Sequence, residues 1–185
     1  MSMPATRHRF TVDDWHQMIE AGVLHEDQRL ELLDGEIFEM TPIGPLHSSV
    51  VNRLTRLWVT RLGTRAIVQV QNPVEARPRS EPQPDLTLLR ERADFYRDRH
   101  PGPGDVLLVI EVADTSLDYD RAKLAIYASA GIAEVWIVDL QAERVDVHRD
   151  AGTSGFGDVR AARRGDSVAC RAFPDVVLNV TDILG

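Results

Sequence analysis

Apolar positions along the chain recur at two different periods, and the changes between them divide the sequence into elements. Trp15, Met18 and Ile19 share one helical face behind Thr11-Val-Asp-Asp14. This predicts a helix with Thr11 as N-cap, Asp14 as a shorter stand-in for the capping-box acid and Gly22 as its stop. Arg29-Leu-Glu-Leu-Leu33 and Glu36-Ile-Phe-Glu-Met40 flank Asp34-Gly35, the strongest short-range hairpin signal because both turn residues take positive φ. From Leu46 to Leu62 the residues Val50, Leu54, Leu57, Trp58 and Leu62 return at helical spacing, and Gly63 closes that helix.

Strands are predicted at Ala66–Val70 and Pro84–Leu89, with a Pro- and Arg-rich loop between them. Arg90 to Asp105 is a polar excursion too rich in breakers for one element. Val106-Leu-Leu-Val-Ile110 is continuously apolar, as a strand buried on both faces is, and Glu111 follows it. Asp118 to Ala130 is a helix stopped by Gly131, Glu134–Asp139 a strand, and Arg144–His148 a half-exposed strand pairing with it. Ala151–Gly157 is a Gly-rich loop, Arg164-Gly165-Asp166 a turn, and short strands are expected around Ser167–Arg171 and Val176–Val180. No repeat or linker interrupts 1–185, so the expectation is one α/β (α+β) domain with a mixed β-sheet.

Composition narrows the function classes. The 185 residues carry 21 Lys+Arg against 29 Asp+Glu, a formal net charge of −8, which argues against a passive nucleic-acid coat. A lone cysteine, Cys170, excludes an internal disulfide and a cysteine-rich zinc cluster. No apolar run reaches membrane-spanning length and the start lacks the apolar core of a secretory leader, so a cytoplasmic, non-membrane protein is expected. Lys123 is the only lysine among the basic side chains, a singular placement in an Arg-biased chain.

Antiparallel pairing of the strands that start at Asp85 and end at Glu111 would set the two carboxylates at one end of the sheet. A strand-helix-strand crossover from Val106 to Asp139 would bring Lys123 toward the same end. Two carboxylates together at the margin of a core are costly unless a cation joins them, and hard oxygen donors suit Mg²⁺ or Mn²⁺. With a lysine beside them, the set suggests metal-assisted phosphodiester hydrolysis. The plain alternatives stay open on spacing alone: Asp85 as a turn residue after Pro84, Glu111 as an exposed strand end, Lys123 as a solvated helix residue paired with Asp118 or Asp120.

The residues that discriminate are longer strings. Pro84-Asp85, Glu111-Val112, the run from Asp114 to Leu140 (DTSLDYDRAKLAIYASAGIAEVWIVDL), RLELLDGEI from Arg29 and GDSV from Gly165 resemble the Uma family of restriction-endonuclease-like proteins, in the PD-(D/E)XK nuclease superfamily. The resemblance implies a restriction endonuclease-like mixed β-sheet flanked by helices and an Mg²⁺-dependent DNA endonuclease. It implies Asp85 and Glu111 as metal ligands with the Val112 carbonyl as a third, and Lys123 as the catalytic lysine. The superfamily's usual lysine position falls at Ala113, so the ammonium would come from the following helix, a variation matching this family. Glu31 and His47 fall in segments resembling its pocket-facing positions.

Simpler roles compete for the second-rank residues. Hairpin alternation would expose Glu31 without any function, and His47 would cap its helix. Tyr127 and Trp136 read as core. Arg53 and Arg56 are candidates to grip DNA phosphates; Arg90, Arg92, Arg97 and Arg99 read as a solvated face broken by Glu91, Asp94 and Asp98. A homodimer is expected from the need to cut two strands and the frequency of two-fold assemblies. The competing function is a catalytically silent domain on the same fold, acting through nucleic-acid or protein contacts.

Overall fold

The computed structural model describes residues 6–25 and 27–185. Its first helix, α1 (Val12–Glu20), carries the expected capping box: the Thr11 hydroxyl accepts from the Asp14 N–H while the Asp14 carboxylate accepts from the Thr11 N–H. Its apolar face closes over the hairpin β1 (Leu30–Leu33) and β2 (Glu36–Glu39), with Val12, Trp15 and Leu32 forming a small core. The hairpin turns on Asp34 and Gly35, with φ of 45° and 77°. Alternation along β1 then decides the orientation of Glu31: with Leu32 under α1, the preceding side chain faces the other way.

Helix α2 (Pro45–Leu62) starts on a proline and ends at Gly63. It lies on one face of a six-stranded sheet, with the short α4 (Val180–Leu184) at its side. The sheet comprises β3 (Ala66–Val70), β4 (Leu86–Arg90), β5 (Val106–Ala113), β6 (Glu134–Asp139), β7 (Arg144–Gly152) and β8 (Gly155–Arg163), in that spatial order. It is mixed: β5 and β6 are parallel, joined through α3 (Leu117–Ser129), and every other neighbouring pair is antiparallel. A separate hairpin pairs β9 (Ser167–Ala169) with β10 (Val177–Asn179).

Period-2 alternation sorts the sheet's side chains into two cores. Leu86, Leu88, Leu108, Ile110, Val112 and Trp136 face α2, where Trp136 meets Trp58 with ring centroids 5.7 Å apart. Val109, Val135 and Leu89 face α3 and its Tyr127. Glu111 has the same parity as Val109 and therefore points to the α3 side. Leu86 pairs with Ile110, so one step back along β4 sets Asp85 opposite Glu111. The antiparallel and parallel pairings expected around β5 are both present. Cys170 is free and buried, and burial pushes its thiol up to about 12.

Several boundaries shift by a residue or two, among them β4, which begins at Leu86 just after Asp85, and two differences bear on the architecture. Glu111 does not follow β5 but lies inside it, two residues before its end. The supposed Gly-rich loop at Ala151–Gly157 is largely strand: β7 runs to Gly152, and β8 starts at Gly155 after a tight turn. β8 shows no alternating apolar face because it is an edge strand, mostly exposed, held by its ladder to β7 and rich in the charges that blunt sheet edges. Among the described residues no helix is long and apolar enough to cross a membrane.

The hairpin that presents Glu31 depends on Gly35. A Cβ there would come within 2.6 Å of the Arg9 Cβ and 2.9 Å of the Phe10 backbone, at a positive φ. Gly35→Ala is expected to lower unfolding free energy by about 1–3 kcal/mol in urea titrations. A change below a few tenths of a kcal/mol would contradict this role.

Candidate active site

Five separated parts of the chain meet at the end of the sheet where β4 begins and β5 finishes. The Asp85 N–H lies 3.4 Å from Oε2 of Glu111, as their opposed positions require. One oxygen of Asp85, Oδ2, accepts from the Val112 N–H at 2.9 Å and meets Nε2 of His47 at 3.0 Å. Its other oxygen accepts from the Gln71 amide at 3.3 Å. His47 reaches this point from the first turn of α2, and its Nδ1 is buried without a partner.

Lys123 arrives from α3. Its Nζ lies 2.8 Å from Oε1 of Glu111 and 3.3 Å from Oε2 of Glu31, and all three side chains are at least 97 % buried. Asp118 and Asp120, its partners in the alternative reading as a solvated helix residue, are not among its ion-pair partners in the described residues. Glu31 is buried rather than exposed: alternation does turn it away from α1, but the other side of the hairpin is covered by α3. Its second oxygen accepts from the Tyr119 hydroxyl at 2.6 Å, and Oε2 also accepts from the Gln83 N–H at 2.9 Å. Tyr127 is core, as expected, yet its hydroxyl also donates to Glu111.

The electrostatics follow from burial and this pairing. Burial pushes Glu111 up from the ordinary carboxylate range, and the ammonium of Lys123 opposes that rise. Burial alone would lower Lys123, but Glu111 and Glu31 hold it well above the usual lysine range, charged at neutral pH. Burial opposes ionisation of Asp85 too; the hydrogen bond and charge of His47, with the Val112 N–H, outweigh it and leave the carboxyl below its ordinary range. The same hydrogen bond raises His47. Burial pushes Tyr119 and Tyr127 upward, reinforced by Glu31 and Glu111 respectively, so both remain hydroxyl donors.

Around these groups lies a cavity of about 540 Å³, lined at its floor by Glu31, Asp85, Glu111, Asp120 and Lys123. Asp120, Tyr119 and Gln83 were missed by sequence reasoning. Asp120 is 95 % buried, accepts from the Ser116 hydroxyl at 2.6 Å, and is pushed up to about 6 by burial. Spacing could have found Tyr119, which stands one turn before Lys123 on α3. Nothing local marks Gln83, whose backbone N–H holds Glu31 and whose side-chain amide donates to the Leu30 carbonyl at 2.9 Å.

Arg53 and Arg56 are not brought to this cavity. They lie about 9 and 13 Å along the α2 axis from His47, on a separate groove shared with Thr60 and Arg61. Three of the long-loop arginines pair locally, Arg92 with Asp94, Arg97 with Asp98 and Arg99 with Asp105, in keeping with a solvated face. A second grouping, His16, Glu75 and Glu81, has atoms close enough to share a cation. It is already cross-paired: Glu81 bonds His16 and Trp15, and Glu75 bonds Arg77.

Removing the one cation between two buried carboxylates should be costly. Lys123→Met is expected to destabilise the fold by about 3–5 kcal/mol in urea unfolding, part of it recovered by adding Glu111→Gln; a loss under about 1 kcal/mol would contradict this arrangement. Comparison with known proteins accords with the geometry. No curated protein matches the sequence. A crystal structure described as "a putative nuclease belonging to DUF820", from Anabaena variabilis, superposes with a TM-score of 0.73 over 95 % of this chain and 97 % of that one, at 14 % identity, and so shares the fold. The profile of the Uma2 family, described as "Putative restriction endonuclease", matches residues 12–181. That match spans most of the chain, which therefore belongs to the Uma2 family.

Proposed function

We propose that the protein is an Mg²⁺-dependent DNA endonuclease, with Mn²⁺ able to replace Mg²⁺. The observation that carries this reading is that Asp85, immediately before β4, stands opposite Glu111 on β5, with the buried ammonium of Lys123 against Glu111. The donor set fits a hard divalent cation: it is all oxygen, and Glu111 bears a desolvation cost that a second cation would relieve. Asp85, Glu111 and the Val112 carbonyl would hold the ion. Once bound, it would supply positive charge to a phosphoryl oxygen and acidify a water.

The chain's own groups do the rest. Lys123, charged and fixed by two carboxylates, presents N–H donors toward the cavity and would orient the attacking water or stabilise charge building on the phosphoryl group. Glu31 positions that ammonium, and Tyr119 and the Gln83 N–H position Glu31. His47 holds Asp85 in its ionised form and, protonated, would be a candidate to give its proton to the leaving oxygen. On the outer face of α2, Arg53 and Arg56 have no acidic partner among the described residues within salt-bridge distance, and would take backbone phosphates. A homodimer would offer two such sites to the two strands of a duplex.

Cleavage of plasmid DNA in Mg²⁺ or Mn²⁺ tests the reading. Asp85→Ala and Lys123→Ala are each expected to lower the rate by about 10²-fold or more. Arg53→Ala with Arg56→Ala is expected to weaken binding and flatten the dependence of log K on log salt by about 2. Cutting that survives Asp85→Ala would overturn the assignment. DNA binding without cutting, with no divalent cation bound in calorimetry, would favour the silent domain instead.

A further inference from the structure

The mouth of the acidic cavity has a different chemistry from its floor. It is bordered by Met40, Pro42 and Ile43, on the segment that joins β2 to α2. Ile43 is 36 % exposed, and Leu46, on the first turn of α2, is 50 % exposed. Apolar side chains grouped beside a charged pocket mark a contact surface. Two prolines, Pro42 and Pro45, fix φ along this segment, and Arg29 ties it down by donating to the Thr41 carbonyl at 2.9 Å. Arg29 also lines the cavity and has no acidic partner within salt-bridge distance among the described residues.

We propose that Arg29 and the Met40–Ile43 lip form a nucleotide subsite, in which the guanidinium takes a backbone phosphate and the apolar lip takes an unstacked base next to the phosphate at the acidic floor. The proposal rests on the nuclease reading and specifies its substrate: a strand whose base is out of the duplex stack, as in single-stranded, flap or kinked DNA. Three considerations favour a nucleobase over a protein partner. The lip borders the same cavity as Glu111 and Lys123, so whatever enters meets both. Besides His47, Arg29 and Lys123 are the basic side chains among the cavity's lining residues. Arg29, paired with no acid within salt-bridge distance among the described residues, offers a phosphate its guanidinium while Glu39 and Asp114 share the lining. The few exposed apolar side chains fall far short of the roughly 800 Å² per partner that a stable protein interface buries, whereas single Ile, Leu or Met wedges suffice to unstack a base step. A base inside B-form DNA would have to leave its stack to reach the lip, at a cost smallest for strands already unpaired.

Oligonucleotides carrying 2-aminopurine at successive positions test this, with Ca²⁺ replacing Mg²⁺ to hold the complex uncut. Binding is expected to raise fluorescence at one position of the strand. Ile43→Ser with Met40→Ser should abolish that rise while Mn²⁺ titration and melting temperature stay as in the parent protein. In Mg²⁺, single strands should be cut at least about tenfold faster than duplex, and Arg29→Ala should shrink that ratio. Plasmid cutting with no fluorescence rise at any position, or a rise that survives the double substitution, overturns the subsite and leaves the nuclease reading standing. Failure to bind or cut any DNA overturns both.

Discussion

An ammonium group buried between two carboxylates organises this end of the molecule. Lys123 could not stay charged in so dry a position on its own; Glu31 and Glu111 keep it so, and it in turn permits two acids to be buried within reach of each other. Each of the three comes from a different layer. Glu31 comes from a hairpin clamped by α1, Glu111 from a central strand, and Lys123 from the helix that joins two parallel strands. The pairing therefore ties the small N-terminal core to the main sheet, and its geometry is inherited from packing far from the cavity. A buried ion set of this kind is poor at adding stability and good at fixing register, which suits a site where side-chain positions matter more than total binding energy.

A second, separate pairing holds the other acid. Asp85 is kept ionised by His47 and by the Val112 N–H, while Glu111 is pushed toward protonation by burial. Two carboxylates set opposite each other, one just before β4 and one within β5, thus sit in opposite electrostatic surroundings. A hard cation placed between them would equalise those surroundings, because it removes the penalty on Glu111 and adds to the stabilisation Asp85 already has. The hydroxyls of Tyr119 and Tyr127 complete the arrangement from the helix side: Tyr119 donates to one oxygen of Glu31 and leaves the other to Lys123, while Tyr127 donates to the same Glu111 oxygen that Lys123 meets.

Much of the fold was legible because it depends on local signals. The capping box at Thr11, the Asp34-Gly35 turn, the helical recurrence from Val50 to Leu62 and the apolar run at Val106 each arise from short-range chemistry. The pairing of β4 with β5 could be inferred from order along the chain, and with it the meeting of Asp85 and Glu111. The strand β8 could not be read, since an exposed edge needs no apolar alternation and its glycines imitate a loop. Glu31 illustrates a subtler limit. Alternation correctly turned it away from Leu32, but only the tertiary position of α3 made that side an interior. Gln83 was invisible for a stronger reason: its bond to Glu31 comes from a backbone N–H, which every residue but proline has.

Whether Asp85 and Glu111 hold a hard cation beside Lys123 is settled by anomalous scattering from crystals grown in Mn²⁺. An anomalous peak is expected within coordination distance of one carboxylate oxygen from each acid, lost in Asp85→Ala crystals of the same form. A peak confined to His16, Glu75 and Glu81, or none at the end of β5 under saturating Mn²⁺, would contradict it.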